Sequence, residues 1–310
     1  MGIVYRRAGL DDAPAASSIL AAAQNDLNQR HGFGHINVSP NPQNPHFVYC
    51  LNEEPEGIWV AEKDGQAIGF SLCWVRGSFW FLAQLFVLPG FHGQGVGQML
   101  LEKALVYGSA EGVTNRALIT FAYNPVSISL YARQLIYPRE SLYTMVGQSQ
   151  TVRDRWRAQG TDDRLGEIAP GALERVSGLD EIQLLRGIDE DVVGFPRDRD
   201  HRFLLQIPGS ACYCLQGRGV PEGYVYVSAD GRIGPLAVRS PEKLAGLLLL
   251  GLRQASETAE QISILVAGSN EQAMSLVLRH GLRIDQPLLL MASRPFGRWG
   301  CYVFRSPGLM

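Results

Sequence analysis

A chain of 310 residues, 46% of them hydrophobic, has material for two cored domains. Its formal net charge of −2 argues against a grip on nucleic acid or on an acidic membrane surface. The five cysteines, Cys50, Cys73, Cys212, Cys214 and Cys301, are odd in number and lack a CxxC pair, which argues against a disulfide framework or a zinc ribbon and for reduced, buried thiols. No basic segment followed by an apolar one opens the chain, and the run Leu244 to Leu252 is too short to span a bilayer, so a cytoplasmic protein is expected.

In chain order, the stretch Arg30 to Phe47 is rich in Gly, Pro and Asn and reads as a long loop after the first helix. His31, His35 and His46 lie in it without a helical face or a nearby carboxylate, so no metal is expected. Phe33, Phe47, Tyr49, Trp74 and Trp80 form either an aromatic pocket wall or part of the core. Residues 57–89 then give three β-runs with tight turns at Asp64-Gly65 and Gly77-Ser78, an antiparallel meander.

The third run feeds a turn with glycines at 93, 95 and 97, followed by an amphipathic helix from near Val96. Glycines there admit a ligand close to the backbone, and the helix N-terminus favours an anion, so a phosphate-bearing molecule is expected. No Lys-Ser or Lys-Thr follows Gly97, which excludes a GxxxxGK[ST] loop. The glycines run GxGxG, and apolar Ala117-Leu118-Ile119 falls where a dinucleotide site needs an acid, which leaves an oxidoreductase as the third reading. After the strand ALITFAY, Asn124 and Tyr131 are seven residues apart, two helical turns, and so share a face.

These two elements resemble the GCN5-related N-acetyltransferase (GNAT) family, whose cofactor loop follows [QR]xxGx[GA] and whose next helix opens with N-x6-Y. The match covers residues 3–147; Gly95 and Gly97 agree, while His92 replaces Gln or Arg and Leu135 replaces a usual Gly. The resemblance implies that Leu85, Phe86 and Val87 splay from the neighbouring strand and offer backbone groups to the pantetheine of acetyl-CoA. It also implies that the loop His92, Gly93, Gln94, Gly95, Val96 and Gly97 takes the pyrophosphate, that Asn124 holds the pantetheine arm, and that Tyr131 protonates the leaving thiolate. A phenol of pKa about 10 suits that last role. Read from the residues alone, Tyr131 has a second reading as a half-buried core aromatic, Asn124 as a helix cap before Pro125, which does not exclude cofactor contact, and His92 either contacts a phosphate or sits at the surface. Between Phe79 and Val87 there is no carboxylate, and Gln84 is no base, so proton removal runs through water, through a group such as Glu62 or Asp26, or without a dedicated base.

The polar stretch Thr151 to Arg164 reads as a connector or a solvated helix. A shift of 146 residues then lays Asn270 on Asn124, Val277 on Tyr131 and Met291 on Met145, an internal repeat. The corresponding loop, Arg239 to Leu244, has no glycines, and Val277 cannot donate a proton, so the second unit is expected to be degenerate. Asp189, Asp191, Arg197 and Arg199 line either a cleft or a solvated face. The expected architecture is α+β, an α/β sandwich of two GNAT-like units, each a mostly antiparallel mixed sheet flanked by helices. The expected boundaries are 1–150, a connector 151–165, and 166–310. The expected activity is acetyl-CoA-dependent N-acetyl transfer, by direct attack in a ternary complex, to the primary amine of a small molecule or peptide, with no metal, nucleic acid or membrane partner. The alternative is a non-catalytic acyl-CoA-binding sensor.

Overall fold

The computed structural model of the protein describes residues 2–109, 112–159, 172–176, 178, 181–217 and 219–310. Backbone proximity divides the chain into two units, Met1–Tyr137 with Met291–Arg294, and Pro138–Leu290 with Pro295–Met310. This division differs from 1–150 and 166–310 because the strand after residue 137 pairs within the second unit, and residues 291–294 return to the first. The expected boundary at 165–166 lies outside the described residues.

In the first unit, β1 (Val4–Arg7), β2 (Ile58–Lys63), β3 (Gln66–Arg76) and β4 (Phe79–Val87) pair antiparallel in order, and β5 (Asn115–Phe121) pairs parallel with β4. Asp64 and Gly65 both have positive φ, 51° and 81°, the conformation that a two-residue hairpin with right-handed strand twist needs. Ser293 N donates to Arg116 O at 2.8 Å, so residues 291–294 extend this sheet beside β5. Helices α1 (Ala13–Arg30) and α2 (Pro45–Glu53) pack on the sheet, and α3 (Val96–Tyr107) packs on β2, β3 and β4. The expected long loop is shorter than its composition suggests, because α2 begins at Pro45. Asn44 caps it, its side chain accepting from Phe47 N, and the Asn-Pro pair is the local signal for that start.

Ala61, Ile68, Val87, Val96 and Leu100 form one buried cluster, with Leu85 packed against it. Burying a Val, Ile or Leu side chain contributes about 1.5–3 kcal/mol. This cluster therefore pins the first turn of α3 over the end of β4. Trp74, Trp80 and Phe47 are fully buried and belong to the core, whereas Phe33 stacks on Tyr123 at 4.4 Å. All five cysteines are buried.

The second unit repeats the plan. β7 (Leu173–Val176), β8 (Ala211–Gln216), β9 (Pro221–Val227) and β10 (Arg232–Val238) pair antiparallel in order, and β11 (Gln261–Ala267) pairs parallel with β10. Its next strand comes from the first half of the chain: β6 (Tyr137–Gln148) runs antiparallel to β11 from Leu142↔Ala267 to Gln148↔Gln261. β12 (Arg283–Ala292) follows β6. Helices α6 (Ile182–Val192), α8 (Leu244–Thr258) and α9 (Glu271–Arg279) flank the sheet, and α7 (Asp198–Gln206) packs on α6. Residues 151–159 of the expected connector belong to α5 (Ser149–Gln159), which packs on α8, with Arg155 donating to Arg279 O at 3.0 Å.

Asp189 and Arg197 are fully buried, against the solvated-face reading. Asp189 accepts from Tyr224 Oη at 2.5 Å and lies 2.7 Å from His201 Nε2, and Arg197 Nη1 donates to Tyr302 Oη at 2.6 Å. Asp191 stays at the surface and pairs with Arg239. Among the described residues no helix is long and apolar enough to cross a membrane.

Helix α4 (Pro125–Ala132) ends on Leu135, whose φ of 61° lies in the left-handed region, and Ile136 N donates back to Tyr131 O. The second unit keeps glycine at the matching place, Gly281 with φ 92°, where Leu282 N donates to Val277 O. A leucine held there costs about 1–2 kcal/mol, and the 64%-exposed Leu135 side chain returns little of it. Leu135→Gly is expected to raise unfolding stability by about 0.5–1 kcal/mol, net of glycine's chain entropy, in urea denaturation. A loss of stability would show that the Leu135 side chain does more packing than its exposure implies.

Candidate active site

The site begins with a fault in a ladder. Leu72 of β3 faces Gln84 of β4 while Cys73 faces Leu82, so Ala83 is an extra residue, a β-bulge. β4 pairs with β5 from Phe79↔Asn115 to Leu82↔Leu118, and among the described residues no rung follows. The parallel strands thus part at the bulge. Leu88 N donates to Ile68 O at 2.9 Å on the β3 side. Hydrogen-bonding groups alternate along an antiparallel strand, so those of Phe86 also face β3 and those of Leu85 and Val87 face the parted edge. His92 Nε2 donates to Val87 O at 2.8 Å, which fills one acceptor of that edge. His92 therefore braces the strand end, while the rest of its ring is exposed.

The glycine turn lies at the end of β4. Gly93 and Gly95 have φ of 76° and 81°, and open space surrounds both, so backbone conformation rather than crowding requires glycine. Gly95 precedes α3 as its cap residue with no side-chain cap, so the first amides of α3 lack an internal acceptor. Gln94 is exposed and its amide donates to Gly90 O at 3.1 Å. A Cβ on Gly97 would lie 3.8 Å from the side chains of Leu85 and Val87, which places the uncapped helix start over the face of β4 at the two residues whose backbone groups line the parted edge.

Asn124 follows β5 and caps α4: its Oδ1 accepts from Ser127 N at 3.1 Å, and its Nδ2 donates to Ser127 Oγ at 2.8 Å. Ser127 in turn lies near enough to Tyr131 to favour its ionised form, one helical turn along α4. Tyr131 is 5% exposed. Burial raises its phenol pKa, an effect the Ser127 contact opposes, so the hydroxyl keeps its proton well above neutral pH. Both sequence readings of Asn124 and Tyr131, cap and buried aromatic, describe the geometry seen here. Ser127 carries no motif signal and was visible only as a hydroxyl one turn before Tyr131.

Gln84, one residue past the bulge, holds a buried Oε1 with no hydrogen-bond partner among the described residues. A buried acceptor left bare costs about 1–3 kcal/mol, so this oxygen is suited to an external N–H. The two carboxylates weighed as bases are engaged elsewhere: Glu62 with Arg6 at 2.9 Å and Asp26 with Arg30 at 2.5 Å. His31 packs on Tyr123, His35 on Phe33, and His46 Nε2 lies 3.4 Å from Cys50 Sγ. Tyr123 Oη donates to buried Asn28 Oδ1 at 2.8 Å, and Asn28 Nδ2 donates to Ile36 O at 3.0 Å, tying the loop after α1 to the turn between β5 and Asn124.

Residues 22–135 match the model of the acetyltransferase (GNAT) family. An uncharacterized N-acetyltransferase of Archaeoglobus fulgidus is 40% identical over 72 residues, 20% of this chain and 47% of that protein. The chain spans about half the length of the curated relatives it matches. A solved Pyrococcus horikoshii protein shares the fold over 100% of this chain and 96% of its own, with a TM-score of 0.75 at 17% identity. A tandem GNAT protein from the clavulanic acid biosynthesis pathway shares it over 95% and 99%, with a TM-score of 0.55 at 14% identity. The parted strands, the glycine turn and these likenesses agree: the chain carries a domain of the acetyltransferase (GNAT) family over residues 22–135, within its first unit.

Proposed function

We propose that the first unit transfers an acetyl group from acetyl-CoA to the primary amine of a small molecule or peptide. The observation that carries this reading is the edge of β4 left without rungs to β5 after Leu82, at residues whose side chains meet the uncapped start of α3. The residues present fit that co-substrate. Leu85 and Val87 offer backbone groups to an extended amide-bearing arm, and the amides from Gln94 to Gly97 offer donors to a pyrophosphate. Bound acetyl-CoA supplies an activated thioester.

The chain's own residues do the rest. Tyr131 keeps its phenol protonated at neutral pH and donates that proton to the departing thiolate, with Ser127, held by Asn124, beside it. The donor form is present throughout the neutral range, as for any phenol, and burial extends it into strongly alkaline solution while making the phenol a weaker acid than a free one. Gln84 Oε1 accepts an N–H of the incoming amine and orients its lone pair. With Glu62 and Asp26 held in ion pairs, the amine proton leaves to solvent. The alternative, an acyl-CoA sensor without turnover, draws on the absence of a carboxylate on β4 and on His92 occupying the Val87 carbonyl.

Thiol release from acetyl-CoA, followed against a panel of small and peptide amines, tests the reading. Tyr131→Phe is expected to keep acetyl-CoA affinity within about threefold while kcat falls about 100-fold or more. An unchanged kcat removes Tyr131 from the chemistry, and binding without turnover on any amine favours the sensor. Gln84→Leu is expected to raise the acceptor KM about tenfold with acetyl-CoA affinity unchanged. A KM that stays put would show that the buried oxygen does not meet the amine.

A further inference from the structure

The second unit contains the same parting of strands, and it is filled. Among the described residues β10 pairs with β11 at Arg232↔Ser263 and Ile233↔Ile264 and no further, and its register against β9 shifts between Ile233 and Leu236, as β4 shifts at Ala83. Into the gap runs β13 (Tyr302–Val303), antiparallel to β10 at Leu236↔Val303 and Ala237↔Tyr302. On its other side Phe304 N donates to Leu265 O of β11 at 3.0 Å. A strand of the chain itself therefore completes both edges that the parting exposes.

The surrounding residues are built to hold it. Asn270, the counterpart of Asn124, keeps the cap, accepting from Ala273 N at 3.0 Å, but its Nδ2 donates to Trp299 O at 2.9 Å and to Tyr302 O at 3.2 Å. In the first unit the same amide turns to Ser127. Gly234, with φ 116°, faces the Phe304 carbonyl so closely that a Cβ would collide with it. Arg305 Nη1 donates to Gly234 O at 3.2 Å, and Arg197, fully buried, donates to the Tyr302 hydroxyl.

Resting on the reading of the first unit given above, we infer that the groove between β10 and β11 is a binding site for an extended peptide backbone. Its ligand is the chain's own segment 299–305, seated as a pantetheine arm is seated in the first unit. Strand addition supplies the contacts: main-chain hydrogen bonds to both edges, with Asn270 reading two carbonyls. The second unit takes up no acyl-CoA because its groove already holds this peptide. The loss of glycines between Arg239 and Leu244 and of a proton donor at Val277 follows from that occupancy, since neither is needed once the segment is in place.

The test uses the full chain. Acetyl-CoA is titrated by calorimetry, and amide hydrogen exchange at Phe304 is measured with and without saturating acetyl-CoA. The expected result is one molecule per chain, with slow exchange at Phe304 that acetyl-CoA does not alter. Two molecules per chain, or exchange at Phe304 that quickens on adding acetyl-CoA, would overturn the inference. No binding together with slow exchange would end the reading of the first unit while supporting a groove closed by peptide; fast exchange in the apo chain would overturn the latter.

Asn270→Asp keeps the capping oxygen but removes both donors to the segment. It is expected to speed exchange at Phe304 at least tenfold and to leave first-unit acetyl-CoA affinity within twofold. Gly234→Ala is expected to act the same way through its Cβ. Unchanged exchange at Phe304 in both variants would mean that neither contact seats the segment, and would overturn the inference.

Discussion

Backbone amides and carbonyls that leave a ladder must find other partners, since a buried group left bare costs as much as a lost hydrogen bond. Both units of this chain part a pair of parallel strands, β4 from β5 after Leu82 and β10 from β11 after Ile233. In each, a register shift in the central strand accompanies the parting. The obligation created at that point organises what surrounds it. The second unit meets it with β13, held by Asn270 and admitted by Gly234. The first unit meets it in part with His92 on the Val87 carbonyl and leaves the rest of the edge at residues whose side chains meet the start of α3.

The exchange of strands explains why the halves of the sequence and the units of the fold do not coincide. β6 follows α4 in the chain yet runs seven rungs along β11, and residues 291–294 return to β5. Each unit therefore takes backbone partners from the other half of the sequence. A cut at residue 150 would divide elements that belong together: β6 would leave β11, and residues 293–294 would leave Asn115 and Arg116.

Much of the first unit was legible because its signals are local. The hairpin at Asp64-Gly65 and the helix from Val96 follow from residue type and spacing, and they appear as expected, while positive φ at Gly93 and Gly95 is a further reason for glycine there. The GNAT assignment rested on the same local features. What sequence could not supply is pairing at a distance. Nothing in Tyr137 to Gln148 states that its partner is Gln261 to Ala267, and nothing in Tyr302-Val303 marks it as the filler of a gap. The charges at Asp189 and Arg197 illustrate the same limit: read singly they suggest a wet surface, but Tyr224, His201 and Tyr302 supply partners that make their burial affordable. Likewise Ser127 and the bare oxygen of Gln84 acquire meaning only once Tyr131 is seen buried and the bulge at Ala83 is seen to turn the strand.

The claim on which the account turns is that the parted edge of β4 is the surface that takes an acyl-CoA. Residue-resolved hydrogen exchange of the Leu85 and Val87 amides, measured as acetyl-CoA is added to the full chain, tests it most directly. The account predicts that both amides exchange at least tenfold more slowly in the bound state. Exchange at Leu85 and Val87 that stays the same while acetyl-CoA binds would place the ligand elsewhere and contradict the account.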